Sequence, residues 1–348
     1  MSTFRVGVGR DFLDKDGKVS FGDIGLDRLD AAGVEWSFLD TEERILTPGD
    51  IAEFDALFLL LNEVTAETLV GNTRLALIAR FGVGTDSIDL AACTEAGVAV
   101  SVTPDGVRRG VATALLTAVL ALAHRLRERD LLVRESRWSE KMNYIGTGLT
   151  GRTLGIAGVG NIGADFSRLA QPLEMRHLAY DPYASEDMAR KAGVTLVDFD
   201  TLLAESDFLC LSLPLTDETH HLVNARAFAA MKPTSYLINA ARGPIVNEVE
   251  LIEALRSGQI AGAALDVFDP EPPAADNPLF TMDNVLLTPH AIAHTDETFT
   301  RTGHSAVDSI LAVMNGQAPS FVANRQVVDS PAFAARIAAR HTTKGEKR

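Results

Sequence analysis

Cysteine is scarce in this chain. The 348 residues include two, Cys93 and Cys210, and their spacing matches neither a disulfide framework nor a zinc cluster. We therefore predict no metal site. Cys210 lies in an apolar run, which predicts that it is a small buried residue of the core rather than a reactive thiol.

Positive charge is also in deficit, since the formal net charge is −15 at pH 7. This balance argues against nucleic acid or an anionic membrane surface as a partner. The longest apolar stretch, residues 111–123, is shorter than a bilayer span, and residues 1–12 contain no secretory hydrophobic segment. We therefore expect a cytoplasmic protein with no membrane or nucleic-acid partner.

The remaining composition is that of an ordinary globular protein, with 46% hydrophobic and 23% charged residues, and the length favours two domains. Residues 4–103 alternate between strand-like and helix-like segments, which predicts a parallel sheet with helices on both faces. The predicted strands are residues 5–8, 34–39, 56–61, 75–81 and 98–102. The predicted helices are residues 24–32, 66–69 and 90–96.

A glycine-rich turn organises the second half of the chain. Residues 153–163 read TLGIAGVGNIG, so an apolar strand leads into the G-x-G-x-x-G spacing of Gly158, Gly160 and Gly163, and a helical pattern follows. The first glycine permits a tight turn, the second lets a pyrophosphate approach the backbone, and the third lets helix pack on strand. This context predicts dinucleotide binding at the helix N-terminus.

A carboxylate follows the next predicted strand. Asp181 comes 18 residues after Gly163, where an acid can accept hydrogen bonds from the adenosine ribose and repel the 2′-phosphate of NADP. NAD is therefore the expected cofactor. The structural alternative is that Asp181 is a turn residue before Pro182.

The later strands complete a doubly wound sheet, and three polar groups follow three of them. The predicted strands are residues 194–197, 207–213, 235–239, 262–267 and 285–287. Arg242, Glu271 and His290 come after the last three, and ligands of such sheets bind beyond the carboxyl ends of the strands. A guanidinium holds a carboxylate, an imidazole transfers a proton, and a neighbouring acid orients the imidazole. Taken singly, each has a structural alternative: a salt bridge, a loop acid or a buried histidine.

The first half has its own candidate turn. Residues 79–89 read ARFGVGTDSID, and the Gly-x-Gly turn either aims backbone N–H groups at a substrate carboxylate or simply enters a helix capped by Asp86 or Asp89.

The segment between the two halves begins with a crossing at residues 104–110 and continues as a predicted helix over residues 111–127, apolar on nearly all faces. We expect that helix to be buried all round, in part by a dimer contact. Arg108 and Arg109 either bind an anionic substrate or are solvated surface charges. Residues 130–150 are polar and irregular, which suggests a flap or a dimer arm.

The motifs as a set resemble the D-2-hydroxyacid dehydrogenases, the family of phosphoglycerate, glycerate and D-lactate dehydrogenases. The matching segments are GRTLGIAGVGNIG (151–163), LSLPLTDETHHLVN (211–224), MKPTSYLINAARGPIVNE (231–248), AALDVFDPEPP (263–273), LLTPH (286–290) and, more loosely, ARFGVGTDSIDL (79–90).

The resemblance implies two doubly wound α/β domains that close over the substrate. A discontinuous flavodoxin-like substrate domain would comprise residues 1–103 and 296–348, with residues 295–315 as a returning helix. A Rossmann NAD-binding domain would comprise residues 104–295. Homodimers joined through the interdomain helix are common in the family, so a homodimer is expected.

The resemblance also implies site residues. Arg242 would bind the substrate carboxylate and carbonyl oxygen, His290 would be the general acid/base, and Glu271 its partner. Val83 and Gly84 match the family's carboxylate-binding turn. The implied NAD contacts are Gly158, Gly160, Asn161, Ile162, Gly163, Asp181, Leu213, Pro214, Thr219, Ala240, Asp266 and His290.

The chain departs from the family pattern at the interdomain helix and after the catalytic histidine. Val107 and Thr113 replace the usual Asn and Glu, and His294 stands where small residues are usual. His294 either contacts substrate, as Arg108 would, or caps the last helix. The expected reaction is hydride transfer between NAD and a small 2-hydroxy or 2-keto acid. An NAD-sensing corepressor of the same fold and an oxidoisomerase of a longer sugar acid are the alternatives.

Overall fold

The strands form two separate parallel sheets in a computed structural model, which describes residues 3–341. One compact unit takes in the described residues up to Val107 together with those from Thr295 onward, and the other is Arg108–His294. The predicted boundaries after residues 103 and 295 lie four residues and one residue from these divisions. The outermost ends of the predicted substrate domain, residues 1, 2 and 342–348, are outside the described residues.

The secondary structure of the described residues is as follows. The strands are β1 Arg5–Val8, β2 Glu35–Phe38, β3 Ala56–Leu59, β4 Leu77–Arg80, β5 Ala99–Ser101, β6 Thr153–Ala157, β7 Arg176–Tyr180, β8 Thr195–Leu196, β9 Phe208–Leu211, β10 Tyr236–Asn239, β11 Gly262–Leu265 and β12 Val285–Leu287. The α-helices are α1 Leu26–Ala31, α2 Pro48–Ile51, α3 Leu90–Glu95, α4 Pro104–Ala123, α5 Leu126–Arg134, α6 Asn161–Ala170, α7 Glu186–Ala192, α8 Phe199–Glu205, α9 Ala225–Ala230, α10 Glu248–Arg256, α11 Asp296–Met314 and α12 Pro331–His341.

The first unit contains a five-stranded sheet in the order β2-β1-β3-β4-β5, the strand order of flavodoxin-like folds. Alternate residues of β3 point to opposite faces, where Ala56 and Phe58 join one apolar cluster and Leu57 and Leu59 join another. Helix α11 packs on the first cluster, so the unit is discontinuous in sequence.

The second unit contains a seven-stranded sheet in the order β12-β11-β10-β9-β6-β7-β8. Counted from β6, this is the 3-2-1-4-5-6 order of dinucleotide-binding sheets with one strand added at the edge. The order changes direction at β6 and β9, and apolar clusters cover both faces. The prediction of two doubly wound α/β domains is confirmed, and the switch point lies at the glycine-rich turn after β6.

Two predictions about the segment after β5 are wrong. Helix α4 begins at Pro104, which suits the first turn of a helix, so residues 104–110 are helical and do not form a separate crossing segment. Thr113 and Thr117 of this helix are exposed in the single chain, and burial of that side by a dimer contact stays a prediction. Residues 130–134, predicted to be irregular, are the end of α5, which begins at Leu126 after Arg125 adopts a left-handed conformation.

Helix α4 also bears on the membrane question. Among the described residues it is, by length and composition alone, long and apolar enough to cross a bilayer, although its uninterrupted apolar part is limited to residues 111–123. Half of its apolar window is buried inside the protein, and a core helix passes the same test. Ala112, Leu115 and Val119 pack into the core of the second unit.

Candidate active site

The glycine-rich turn joins β6 to α6, as the sequence predicts. Gly158 has φ +95°, a conformation that favours glycine, and Gly160 is the residue preceding the first turn of α6. A Cβ on Gly163 would lie 2.0 Å from the Gly158 carbonyl oxygen, so helix and turn are in direct contact there.

Gly160 differs from the other two glycines because it faces open space. A Cβ placed on it would meet no atom within 4 Å. The glycine is therefore not required by packing within the protein. An open position at a helix N-terminus, where N–H groups point outward, fits a pyrophosphate group.

Asp181 follows β7 and bonds to the glycine-rich turn. Its Oδ2 accepts a hydrogen bond from Val159 N at 2.8 Å, and its Oδ1 accepts one from Tyr183 N at 2.9 Å. The second bond is the turn role considered as the alternative. Because each carboxylate oxygen has two lone pairs, these bonds leave acceptor capacity for a ribose hydroxyl.

His290 and Glu271 form a hydrogen-bonded pair. His290 Nδ1 lies 2.9 Å from Glu271 Oε2, and Glu271 Oε1 accepts a bond from Phe268 N at 3.0 Å. Burial raises the pKa of Glu271, but the bonds from His290 and Phe268 and the charge of Arg242 outweigh it and hold the pKa below its usual value. An ionised Glu271 can only accept, so Nδ1 of His290 donates and Nε2 is left for proton transfer.

The loop that carries Arg242 is fixed by a buried asparagine. Asn239 Nδ2 donates to Arg242 O at 2.9 Å, and Asn239 Oδ1 accepts from Ala241 N at 3.0 Å. A Cβ on Gly243 would lie 1.8 Å from Phe268 O, so this loop touches the loop that carries Glu271. Two predicted catalytic side chains are thus on adjoining loops.

Asp266 organises the loop that carries His290. Its Oδ1 accepts hydrogen bonds from Thr288 Oγ1 at 2.6 Å, Ala291 N at 2.8 Å and Ile292 N at 3.0 Å. The side chain is buried at the carboxyl end of β11. The predicted nicotinamide contact therefore also has a structural role.

The other predicted cofactor contacts lie at the same edge of the sheet. Leu213, Pro214 and Thr219 belong to the turn after β9, where Thr219 Oγ1 donates to Pro214 O at 2.7 Å. Ala240 follows β10 and, with Asp266, lines a cavity of about 10 Å³. Asn161 and Ile162 begin α6.

The basic residues of α4 and the second histidine have different settings. Arg108 is partly buried, and Arg109 bonds to the buried Asp165 of α6 at 3.1 Å, which neither alternative predicted. Burial lowers the pKa of His294 below its usual value. The negative charge of Asp266 opposes this shift, and the charge of His290 adds to it. Thr295, not His294, caps α11, so the capping alternative for His294 is wrong.

The Gly-x-Gly turn of the first unit follows β4. Arg80 Nε donates to Gly84 O at 3.1 Å, and Asp89 caps α3, as one alternative predicted. No hydrogen bond among the described residues uses the N–H groups of Val83 and Gly84. Two backbone donors are thus left for an anion.

Two positioning residues escaped the sequence analysis. Asn239 is the last residue of the buried strand β10, and Ser212 donates to Gly158 O at 2.7 Å. Neither has a local signal, since each acts on a partner brought close by the fold. Within residues 3–341, no group of three or more His, Cys, Asp or Glu is arranged to hold a metal ion.

Comparison with known families gives one match to half of the chain. Residues 116–291 match the family described as D-isomer specific 2-hydroxyacid dehydrogenase, NAD binding domain. The chain is 41% identical to the D-3-phosphoglycerate dehydrogenase of Archaeoglobus fulgidus over 73% of its own length and 48% of that relative's. It is 38% identical to the glyoxylate reductase of Korarchaeum cryptofilum over 80% of the chain and 85% of the relative. The chain thus spans about half the length of the first relative.

Solved structures agree with these matches. A protein from Thermus thermophilus superimposes with a TM-score of 0.80 at 31% identity, covering 92% of this chain and 100% of that one. The D-lactate dehydrogenase of Lactobacillus jensenii, solved with NAD+, gives 0.76 at 25% identity, covering 92% and 99%. The family resemblance stated from the sequence and the NAD-binding domain that it implied are confirmed.

Proposed function

Because the chain belongs to the D-isomer specific 2-hydroxyacid dehydrogenase family, we propose that it transfers a hydride between NAD and a small 2-hydroxy acid or its 2-keto form. The observations that carry this proposal are the His290–Glu271 pair, 2.9 Å apart, and the contact between the loop of Glu271 and the loop that presents Arg242.

The residues around the glycine-rich turn suit NAD. Gly160, whose position is open, would hold the pyrophosphate, Asp181 would accept a hydrogen bond from the adenosine ribose, and Asp266 would bind the nicotinamide amide. Leu213, Pro214 and Thr219 of the turn after β9, together with Ala240, would supply the remaining contacts to NAD. When bound, NAD supplies or accepts the hydride, which none of the twenty side chains can do.

His290 moves the proton. In the reduction direction Nε2 donates to the keto oxygen while Glu271 holds Nδ1 and stabilises the imidazolium before transfer. In the oxidation direction the neutral ring accepts the hydroxyl proton at the same nitrogen. The lowered pKa of Glu271 keeps the carboxylate ionised throughout.

Arg242 holds the substrate. Its guanidinium binds the carboxylate and carbonyl oxygen and stabilises negative charge that develops on that oxygen. Asn239 fixes the backbone of Arg242, and Arg242 Nη1 donates to Ala241 O at 2.7 Å, so both ends of the side chain have a defined position. The roles of Val83, Gly84, Arg108 and His294 in binding the rest of the substrate stay predictions.

A substrate panel tests the proposal. Glyoxylate, hydroxypyruvate, phosphohydroxypyruvate, pyruvate and longer sugar-derived 2-keto acids are mixed with NADH or NADPH, and the loss of reduced-cofactor absorbance is followed. We expect turnover of at least one acid with NADH. Tight NADH binding with no turnover of any acid, in either direction, would contradict an enzymatic role and favour the NAD-sensing alternative.

The enzyme is proposed to act as a cytoplasmic homodimer. Support comes from the exposed face of α4 and from exposed apolar side chains after it: Leu126, Val133, Trp138, Met142 and Ile145. Light scattering should give twice the chain mass of 37.3 kDa. Trp138→Ser should shift the protein toward monomer, whereas Val249→Ser, at another exposed apolar residue, should not.

A further inference from the structure

A hydrogen bond joins two loops at the carboxyl edge of the second sheet. Tyr183 Oη donates to Glu218 Oε2 at 3.1 Å. Tyr183 follows β7, and Glu218 belongs to the turn after β9. Because β6 lies between these strands, the bond spans the end of β6, where the glycine-rich turn starts.

Both ends of this bond come from turns with their own hydrogen bonds. Asp181 Oδ1 accepts from Tyr183 N at 2.9 Å, which fixes the chain after β7. Thr216 N donates to Thr219 Oγ1 at 2.7 Å, which fixes the turn containing Glu218. The two side chains therefore meet because their backbones are held, not because long loops happen to touch.

The loops at this edge are acidic. Residues 181–185 and 212–219 contain three carboxylates, Asp181, Asp217 and Glu218, and no lysine or arginine. The hydrogen bond and charge of Glu218 raise the pKa of Tyr183, and Asp181 adds to the rise. Two carboxylates from different loops thus act on one phenol group.

We propose that Glu218, held beside the glycine-rich turn by Tyr183, is a second determinant of the preference for NAD over NADP, in addition to Asp181. This inference rests on the proposed function. If Asp181 accepts from the adenosine ribose, a 2′-phosphate would lie beside Asp181, and Glu218 is tied to the same loop through Tyr183. Sites that accept this phosphate usually provide an arginine, which these loops lack. Tyr183 is the positioning residue.

Binding of two nucleotides that differ by one phosphate tests the proposal without turnover. The probes are 5′-AMP and adenosine 2′,5′-bisphosphate, each titrated by calorimetry into the full-length protein. Wild type should bind 5′-AMP more tightly. Glu218→Gln, which keeps an acceptor for Tyr183, should strengthen bisphosphate binding about three- to tenfold at low salt while 5′-AMP changes less than about twofold. High salt should shrink the gain.

Two further variants isolate Glu218. Asp217→Asn makes the same change of net charge one residue away and should give a clearly smaller gain. Tyr183→Phe keeps the carboxylate of Glu218 but removes the hydrogen bond that positions it. A smaller gain in bisphosphate affinity than that of Glu218→Gln is therefore expected. The proposal is overturned if Glu218→Gln leaves the ratio of the two affinities unchanged, or if Asp217→Asn matches it. Failure of wild type to bind 5′-AMP and NADH would instead contradict the NAD site and, with it, the proposed function.

Discussion

Gly160 and Gly163 provide a matched pair of substitutions in one turn. Each change, to alanine, adds a single methyl group three residues from the other. At Gly160 the methyl group meets nothing within 4 Å, whereas at Gly163 it lies 2.0 Å from a backbone carbonyl oxygen and 2.7 Å from Ser212 Oγ. The same chemical change should therefore affect different properties.

The magnitudes follow from these distances. Gly160→Ala should change the free energy of unfolding by less than about 1 kcal/mol, because no atom has to move. Gly163→Ala should lower it by about 1–3 kcal/mol or more, because the carbonyl must move by roughly 1 Å to restore a van der Waals contact. The new methyl group at Gly160 would occupy pyrophosphate space, so NADH affinity should fall at least about tenfold.

The assay is urea unfolding of both variants without cofactor, followed by fluorescence titration with NADH. The expected pattern is a stable Gly160→Ala protein that binds poorly and a destabilised Gly163→Ala protein. Wild-type NADH affinity in Gly160→Ala would refute the placement of the pyrophosphate at this glycine. Equal destabilisation of the two variants would refute the reasoning from packing.

Three further predictions concern charged groups. Glu271→Gln should lower kcat about 10- to 100-fold and change the pH–rate profile, measured in steady state, because a neutral amide cannot stabilise the protonated ring of His290. Asp266→Asn should weaken NADH binding and destabilise the His290 loop, seen as faster hydrogen exchange at residues 288–292, because Oδ1 accepts three bonds from that loop. Burial raises the pKa of Asp11, whose Oδ1, like that of Asn62, is buried without a donor among the described residues. In the folded protein Asp11 therefore binds its proton more tightly than in the unfolded chain. The stability that protonated Asp11 contributes is present at low pH and is lost as the pH rises from the ordinary pKa of an aspartate through the raised pKa of the folded protein. Asp11→Asn should remove this loss and add about 1–2 kcal/mol at pH 7 in urea unfolding.

The strands were predictable because buried parallel strands are short apolar runs between polar turns. β1 and β12 have the predicted bounds, and most others are shorter by one or two residues at an end. The turn after β6 was equally clear, since three glycines at fixed spacing have distinct steric reasons. The fold class followed from the alternation of these segments with helices.

Helix limits and contacts between distant residues were not predictable in the same way. The sequence placed Pro104 in a crossing segment, although proline is compatible with the first turn of a helix. No local sequence pattern indicates that Arg125 adopts a φ of +50°. The salt bridge of Arg109 with Asp165 joins residues 56 positions apart. Thr113 and Thr117 are exposed in the single chain, and the sequence alone does not show which side of this helix a dimer contact would cover.

The candidate site was predicted by residue type and by the ends of strands. Sequence position placed Arg242, Glu271 and His290 at one edge, but the residues that orient them, such as Asn239, act through bonds that exist only in the folded chain. Asp266 was expected as a cofactor contact, and its bonds to the His290 loop came only from the structure.

The most direct test of the account measures two properties of His290→Ala: the single-turnover rate, with a 2-keto acid that the wild-type protein reduces, and the dissociation constant for NADH. The account predicts that the single-turnover rate falls about 10²- to 10⁴-fold while the dissociation constant for NADH stays within about twofold of wild type. A rate equal to that of wild type would contradict proton transfer by His290 and, with it, the proposed chemistry.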